Sequence, residues 1–238
     1  SSPGSSPSRS RSTSSSATVK VDRQGFDYSI SESPAPNVNG WHASGPVTLM
    51  VSLDSPSVSG MDIPGSVCTR SLNGGPATVI PWGEFTVDMV NETVSLPVSG
   101  NGVHVISCDL VTNAGVHSID SRTVRIDDSV PVGTTEVLPA PNANGWHNAD
   151  VTLRATMSVS NPSGIDTSLS GCTRNGVPVP LTEYDFTPPN ILDIVVHDDG
   201  VFDYVCTVVT GAGVSTSRSA TVKVDRNAID YTLSASPP

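Results

Sequence analysis

The chain repeats itself over a long period, and that constrains its fold more than any single residue does. Pro36-Asn37-Val38-Asn39-Gly40-Trp41-His42 returns as Pro141-Asn142-Ala143-Asn144-Gly145-Trp146-His147. Cys68-Thr69-Arg70 returns as Cys172-Thr173-Arg174. Thr18-Val19-Lys20-Val21-Asp22-Arg23 returns as Thr123-Val124-Arg125-Ile126-Asp127-Asp128, and then identically at 221–226. A long unit used twice, with parts of others at the ends, reads as a fragment of a tandem array. The boundaries follow from the matches. Residues 1–16 are a Ser/Pro-rich linker, and 17–23 are the closing strand of a truncated preceding repeat. Full repeats occupy 24–128 and 129–226. Residues 227–238 open a following repeat, since Asp230-Tyr231-Thr232-Leu233-Ser234 echoes Asp27-Tyr28-Ser29-Ile30-Ser31.

Inside each copy the hydrophobic period is two. Val47, Leu49, Val51 and Leu53 alternate with polar or exposed positions, as do Val151, Leu153, Ala155, Met157 and Val159. Such alternation marks strands with one buried and one wet face. Val94, Leu96 and Val98 repeat the pattern, and no stretch sustains helical spacing. Asn73-Gly74, Asn175-Gly176 and Asn101-Gly102 supply tight-turn chemistry, because Asn-Gly tolerates the positive φ angles of two-residue hairpins. With Gly and Pro at 20 each, the composition favours short strands and many turns. The fold class read from this pattern is all-β: tandem antiparallel β-sandwiches of immunoglobulin type, about seven short strands in each.

Charge and cysteine usage narrow the function classes. The net charge is -11, and no basic cluster lies outside Arg9 and Arg11. Nucleic acid is therefore excluded as a partner, because phosphate binding needs clustered Lys and Arg. No apolar run approaches the length that crosses a bilayer, so this fragment inserts in no membrane. Each repeat holds one cysteine pair, Cys68 with Cys108 and Cys172 with Cys206. One even pair per copy points to two intradomain disulfides and an oxidising compartment, secreted or on a cell surface. The alternative is four buried free thiols in a reducing compartment. Zinc fits poorly, since there is no C-x-x-C and no His at ligand spacing from a Cys.

The order of short motifs resembles the bacterial Ig-like repeats of large secreted and cell-surface proteins. Asn-Gly-Trp-His is followed by a Val-Thr-Leu strand, then Ser59-Gly60 or Ser163-Gly164, then Cys-Thr-Arg with Ser71-Leu72-Asn73-Gly74-Gly75 in the first copy. Gly102-Val103-His104, Thr112-Asn113-Ala114-Gly115 and Thr-Val-Lys-Val-Asp-Arg complete the series. The second copy replaces Asn113 by Gly211 in the last loop, and Val116 and Val214 stand where that family carries Asn. The resemblance places the cysteines on the third and sixth strands, which neighbour each other in such folds. It therefore implies bridges within one sheet rather than across the sandwich. Tyr204, two residues before Cys206, stands where a tyrosine corner would be expected.

Few residues are candidates for chemistry. Trp41 with His42, and Trp146 with His147, share the repeated motif. Their expected role is structural, the Trp as an anchor packing its loop against the first core strand and the His hydrogen-bonding locally. Trp82 has no counterpart in the second copy and is the candidate for an exposed ligand contact. No Ser-His-Asp order, G-x-S-x-G or H-E-x-x-H occurs. Asp127-Asp128 lies where calcium could stiffen a joint, but too few oxygens gather there for an ion needing six or more. Lys20 and Lys223 could supply Lys–Asn isopeptide bonds, but Arg125 replaces the lysine in the first copy. Asn91-Glu92-Thr93 is a glycosylation sequon. The expectation is a non-enzymatic extracellular array without cofactor or metal, a spacer or stalk. Its partners are neighbouring repeats and a surface glycan or protein ligand. The alternative is a carbohydrate-binding module built around Trp82.

Overall fold

The computed structural model describes residues 17–25, 27–55, 57–88, 93–158, 161–187 and 191–234. The linker 1–16, Asn91 of the sequon and Val159 lie outside the described residues. Two β-sandwiches follow one another. In the first, β1 (Asp27–Ser33), β2 (Val47–Ser55), β6 (Thr93–Val98) and β5 (Thr86–Asp88) form one sheet in the order β1-β2-β6-β5. The facing sheet runs β4-β3-β7-β8, from Thr78–Ile80, Val67–Leu72, Gly102–Val111 and His117–Ile126. The second sandwich repeats the scheme. β9 (Val132–Leu138), β10 (Val151–Ser158), β14 (Ile191–Val196) and β13 (Tyr184–Thr187) make one sheet. β12 (Val177–Pro178), β11 (Gly171–Arg174), β15 (Gly200–Val209) and β16 (Ser215–Val224) make the other. All pairings between these strands are antiparallel. Chain neighbours split between sheets, as β6 and β7 do, so the topology is the crossed one of immunoglobulin-like sandwiches.

The period of two sets which side chains meet. β7 alternates buried and half-buried residues along its length, and β10 buries Val151, Leu153, Ala155 and Met157. Each sandwich closes over its own core. Val47, Leu49, Leu96, Val98, Val124 and Ile126 belong to the first, and Val151, Leu153, Ile194, Val196, Val222 and Val224 to the second. Both cysteine pairs are bonded. Cys68 lies directly opposite Cys108 on the adjacent strand, and Cys172 opposite Cys206, each with Cα atoms 4.0 Å apart. The bridges therefore lie within one sheet, as the resemblance implied.

Two turn expectations resolve differently. Asn73-Gly74 has φ of 52° and 71°, and Asn175-Gly176 has 50° and 81°, the left-handed pair that a two-residue hairpin requires. Asn101-Gly102 is not such a hairpin. It joins strands of different sheets, the positive φ angles fall on Gly100 and Gly102, and Asn101 is free to use its side chain elsewhere. Nor does Tyr204 form a corner. Its ring is fully buried, and its hydroxyl faces the Arg174 side chain, opposite it on β11, rather than backbone upstream in its own sheet edge. The sheets are instead tied by Tyr184, whose hydroxyl accepts from the Cys172 N–H at 2.8 Å and donates to its carbonyl at 3.2 Å.

Candidate functional site

The residues that recur at the ends of the repeats meet at the junction between the sandwiches. β8 and β16 each end in a hydrophobic residue followed by Asp, and Val21-Asp22 repeats the pair, although residues 17–23, expected as a closing strand, form no strand. One carboxylate oxygen of each Asp accepts from the N–H two residues on. The pairs are Asp22 with Gln24 (3.1 Å), Asp127 with Ser129 (3.1 Å) and Asp225 with Asn227 (3.0 Å). This is an Asx turn, which bends the chain out of the strand and leaves the other oxygen free. For Asp127 that oxygen reaches into the second sandwich. It accepts from the Ser163 N–H at 3.2 Å and from the Ser163 hydroxyl. Asp22 repeats the arrangement on the first sandwich, with the Ser59 N–H at 2.9 Å and the Ser57 hydroxyl at 2.5 Å. Asp127 is 0% exposed, so its carboxylate is withdrawn from water at the joint and depends on protein donors there.

The repeated Asn-x-Asn-Gly-Trp-His loop makes the second contact. Asn37 Oδ1 accepts from the Asn39 and Trp41 N–H groups, both at 3.0 Å, and Gly40 takes the left-handed φ of 75° that closes the loop. The His42 backbone then bridges to the closing strand. Its N–H donates to Arg125 O (2.8 Å), and its carbonyl accepts from the Asp127 N–H (2.9 Å). The loop is thereby stitched beside the clamp residue. With Asn37 Oδ1 occupied, its Nδ2 points outward and donates to Gly211 O of the second sandwich at 2.9 Å. Asn39 Nδ2 donates to Asp166 Oδ2 at 3.1 Å and to Gly211 O at 3.2 Å. Asn101 supplies the third contact. Its amide accepts from the Asp128 N–H (3.0 Å) and donates to Ser129 Oγ (2.8 Å), pinning the short linker.

Electrostatics favours the clamped form at neutral pH. Burial works to raise the Asp127 carboxyl, but hydrogen bonds from Ser163 and Ser129 outweigh it and hold the group below its ordinary value. Asp166 is held low chiefly by the Ser168 hydroxyl, against a smaller burial effect, with Asn39 assisting. A depressed carboxyl stabilises the folded, docked state above its unfolded pKa and loses that stabilisation as pH falls through the folded value. Coupling between the two sandwiches is therefore expected to stay constant from pH 8 to about 5 and to weaken below about 4. Calorimetric scans at stepped pH would detect this as two transitions drawing apart.

The other sequence-derived candidates lie elsewhere. Trp41 and Trp146 sit in the repeated loop beside the histidines. Both are half-buried and belong to neither core cluster, and the smaller His42 and His147 beside them are the buried members, at 3% and 7% exposure. Lys223 Nζ sits 5.9 Å from the Trp146 ring centroid, within cation–π range. His42 Nε2 lies 2.7 Å from Glu32 Oε2, and Glu32 Oε1 accepts from Arg122 Nε at 2.6 Å. Trp82 is half-buried and packs on Phe85 with ring centroids 5.1 Å apart, both against the first core. Among the described residues no group of three or more His, Cys, Asp and Glu could hold a metal ion.

No family model matches the sequence, and no curated protein matches it. Solved structures do match. Murine CEACAM1b is similar over 84% of this chain and 100% of its own, with a TM-score of 0.50 and 14% identity. The fibronectin(III)-like modules of Clostridium thermocellum CbhA cover 87% of this chain and 100% of theirs, at 15% identity and a TM-score of 0.39. A structure of a 1.5-MDa bacterial ice-binding adhesin, described in terms of host cell surface retention, covers 85% of this chain and 66% of its own, at 17% identity and a TM-score of 0.34. The fold is a pair of immunoglobulin-like sandwiches.

Proposed function

We propose that this chain is part of a non-enzymatic extracellular array whose repeats hold attached parts at a set distance and angle. The observation that carries this reading is the junction. The Asp127 clamp, the Asn37 and Asn39 amides and the pinned linker each restrain the second sandwich relative to the first. Only residues 127–131 separate the closing strand of one sandwich from the opening strand of the next. Flexible connection would need slack, and this joint has little. Two disulfides support an oxidising location outside the cytoplasm.

The glycan-binding alternative needs a flat aromatic face presented to solvent, whereas Trp82 is half-covered by Phe85 and the core. Titration of the full chain with a panel of soluble oligosaccharides is expected to give no saturable heat. Saturable binding that Trp82→Ala abolishes, with the fold retained, would replace the spacer reading with a binding module.

A further inference from the structure

We propose that the far end of the second sandwich, formed by Asn142, Asn144 and Asp225, is a docking face for one further repeat of this kind, following directly in the chain. The proposal rests on the spacer reading and names the partner of that face. Asn142 Oδ1 accepts from the Asn144 and Trp146 N–H groups at 3.0 and 2.9 Å, as Asn37 Oδ1 does in its own loop. Its Nδ2 is therefore aimed outward like that of Asn37. The His147 backbone bridges Lys223 and Asp225 at 2.9 Å each, setting this loop beside Asp225 as His42 sets its loop beside Asp127. Asp225 has formed its Asx turn and keeps one oxygen for a donor outside the strand. Arg226 is already braced by Asp199 and Asp150, at 3.0 and 2.7 Å, so the chain leaves this end in a fixed direction.

Exposure separates the used face from the free one. Asn37 is half-buried and Asp127 buried where the second sandwich lies, while Asn142 and Asp225 are exposed; Asn39 and Asn144 are exposed alike. On the receiving side, Gly211 and Ala212 are buried under the first sandwich, while their counterparts Asn113 and Ala114 are exposed. The chemistry of the occupant follows from the first junction. It must offer a Ser-Gly turn for the carboxylate, and an Asp with a neighbouring carbonyl for the two amides. Residues 230–234 carry the opening-strand pattern of a repeat. Yet Tyr231 and Leu233 are 72% and 91% exposed, whereas Tyr28 and Ile30 pack on a core. A second copy of the chain fits less well, because Asp22 already fills the Ser57 and Ser59 donors of its first sandwich.

The test extends the full chain: residues 1–226 followed by 129–238, which adds a repeat with its own core and disulfide. Asn142→Asp with Asn144→Asp keeps the loop cap but turns both donors into carboxylates facing a carbonyl and Asp166. Small-angle scattering is expected to show a lower radius of gyration for this variant than for the unsubstituted extended chain. The same substitutions in the original chain should change nothing. An unchanged radius of gyration in the extended chain would overturn the proposal. If Asn37→Asp with Asn39→Asp also has no effect on the first junction, the spacer reading fails with it. If the junction-1 variant loosens the chain, the spacer reading survives the loss of the proposal. Concentration-dependent end-to-end association of the original chain, abolished by Asn144→Asp, would identify the occupant as a second copy and likewise overturn the assignment.

Discussion

Replacing Cys68 and Cys108 together by Ala is expected to lower the stability of the first sandwich by about 4 kcal/mol and to leave the second almost unchanged. The bridge spans 40 residues, and the chain-entropy model gives about 4 kcal/mol for a loop of that length. Against a typical domain stability of about 5–15 kcal/mol, this is a large share. Both cysteines are buried, at 2% and 5% exposure, so the lost side-chain volume adds to the entropic effect. The sandwiches have separate cores, so the loss stays local. Denaturant titration of the variant should split into two transitions, one unmoved. A shift below about 1 kcal/mol would mean that the denatured chain is already constrained without the bridge. The same argument applies to Cys172 and Cys206, which span 34 residues.

The second large effect is expected at Glu32. Glu32→Val should destabilise the first sandwich by about 1.5–3 kcal/mol, the range for a hydrogen bond to a charged group. The side chains of His42 and Glu32 are 2% and 5% exposed, and Arg122 caps the pair from a half-open position at 45%. Removing the carboxylate strands His42 in a dry site. The second repeat supplies the comparison. Strand register puts Val137 where Glu32 stands and Ala220 where Arg122 stands, with His147 retained and buried. Adding Arg122→Ala should therefore cost little beyond the single variant. If Glu32→Val instead stabilised the sandwich, burying the charge would cost more than its bonds return. Urea unfolding of the two variants separates these outcomes.

Much of the fold was legible because sandwiches are written locally. The alternation in Val47–Leu49 and Val151–Met157, the hairpin turns at Asn73 and Asn175, and the paired cysteines each report on neighbours a few residues away or on a recurring strand. Asn101-Gly102 was misread for a physical reason. The dipeptide permits a tight hairpin but does not require one, and its flanking strands belong to different sheets. The Trp-His motif was read with the amphipathic Trp ring as the anchor of its loop and the His as a local hydrogen-bonder. In the structure the histidine is the buried member, on the residue bridged to the closing strand. The junction was the least legible feature. Asn37 meets Gly211 and Asp127 meets Ser163, partners in a different sandwich, and no local pattern links them. A signal existed all the same. An Asp closes every repeat end, and Ser-Gly recurs at one fixed place in each copy. Recurrence marks such positions without saying what they touch.

The central claim is that the two sandwiches are held in one orientation, and residual dipolar couplings of the backbone amides in the full chain test it most directly. The account predicts that one alignment tensor fits both sandwiches at neutral pH, and that Asp127→Ala with Asn39→Asp splits it into two of unequal magnitude. Two independent tensors in the unsubstituted chain would contradict the account, since the junction bonds would then restrain nothing.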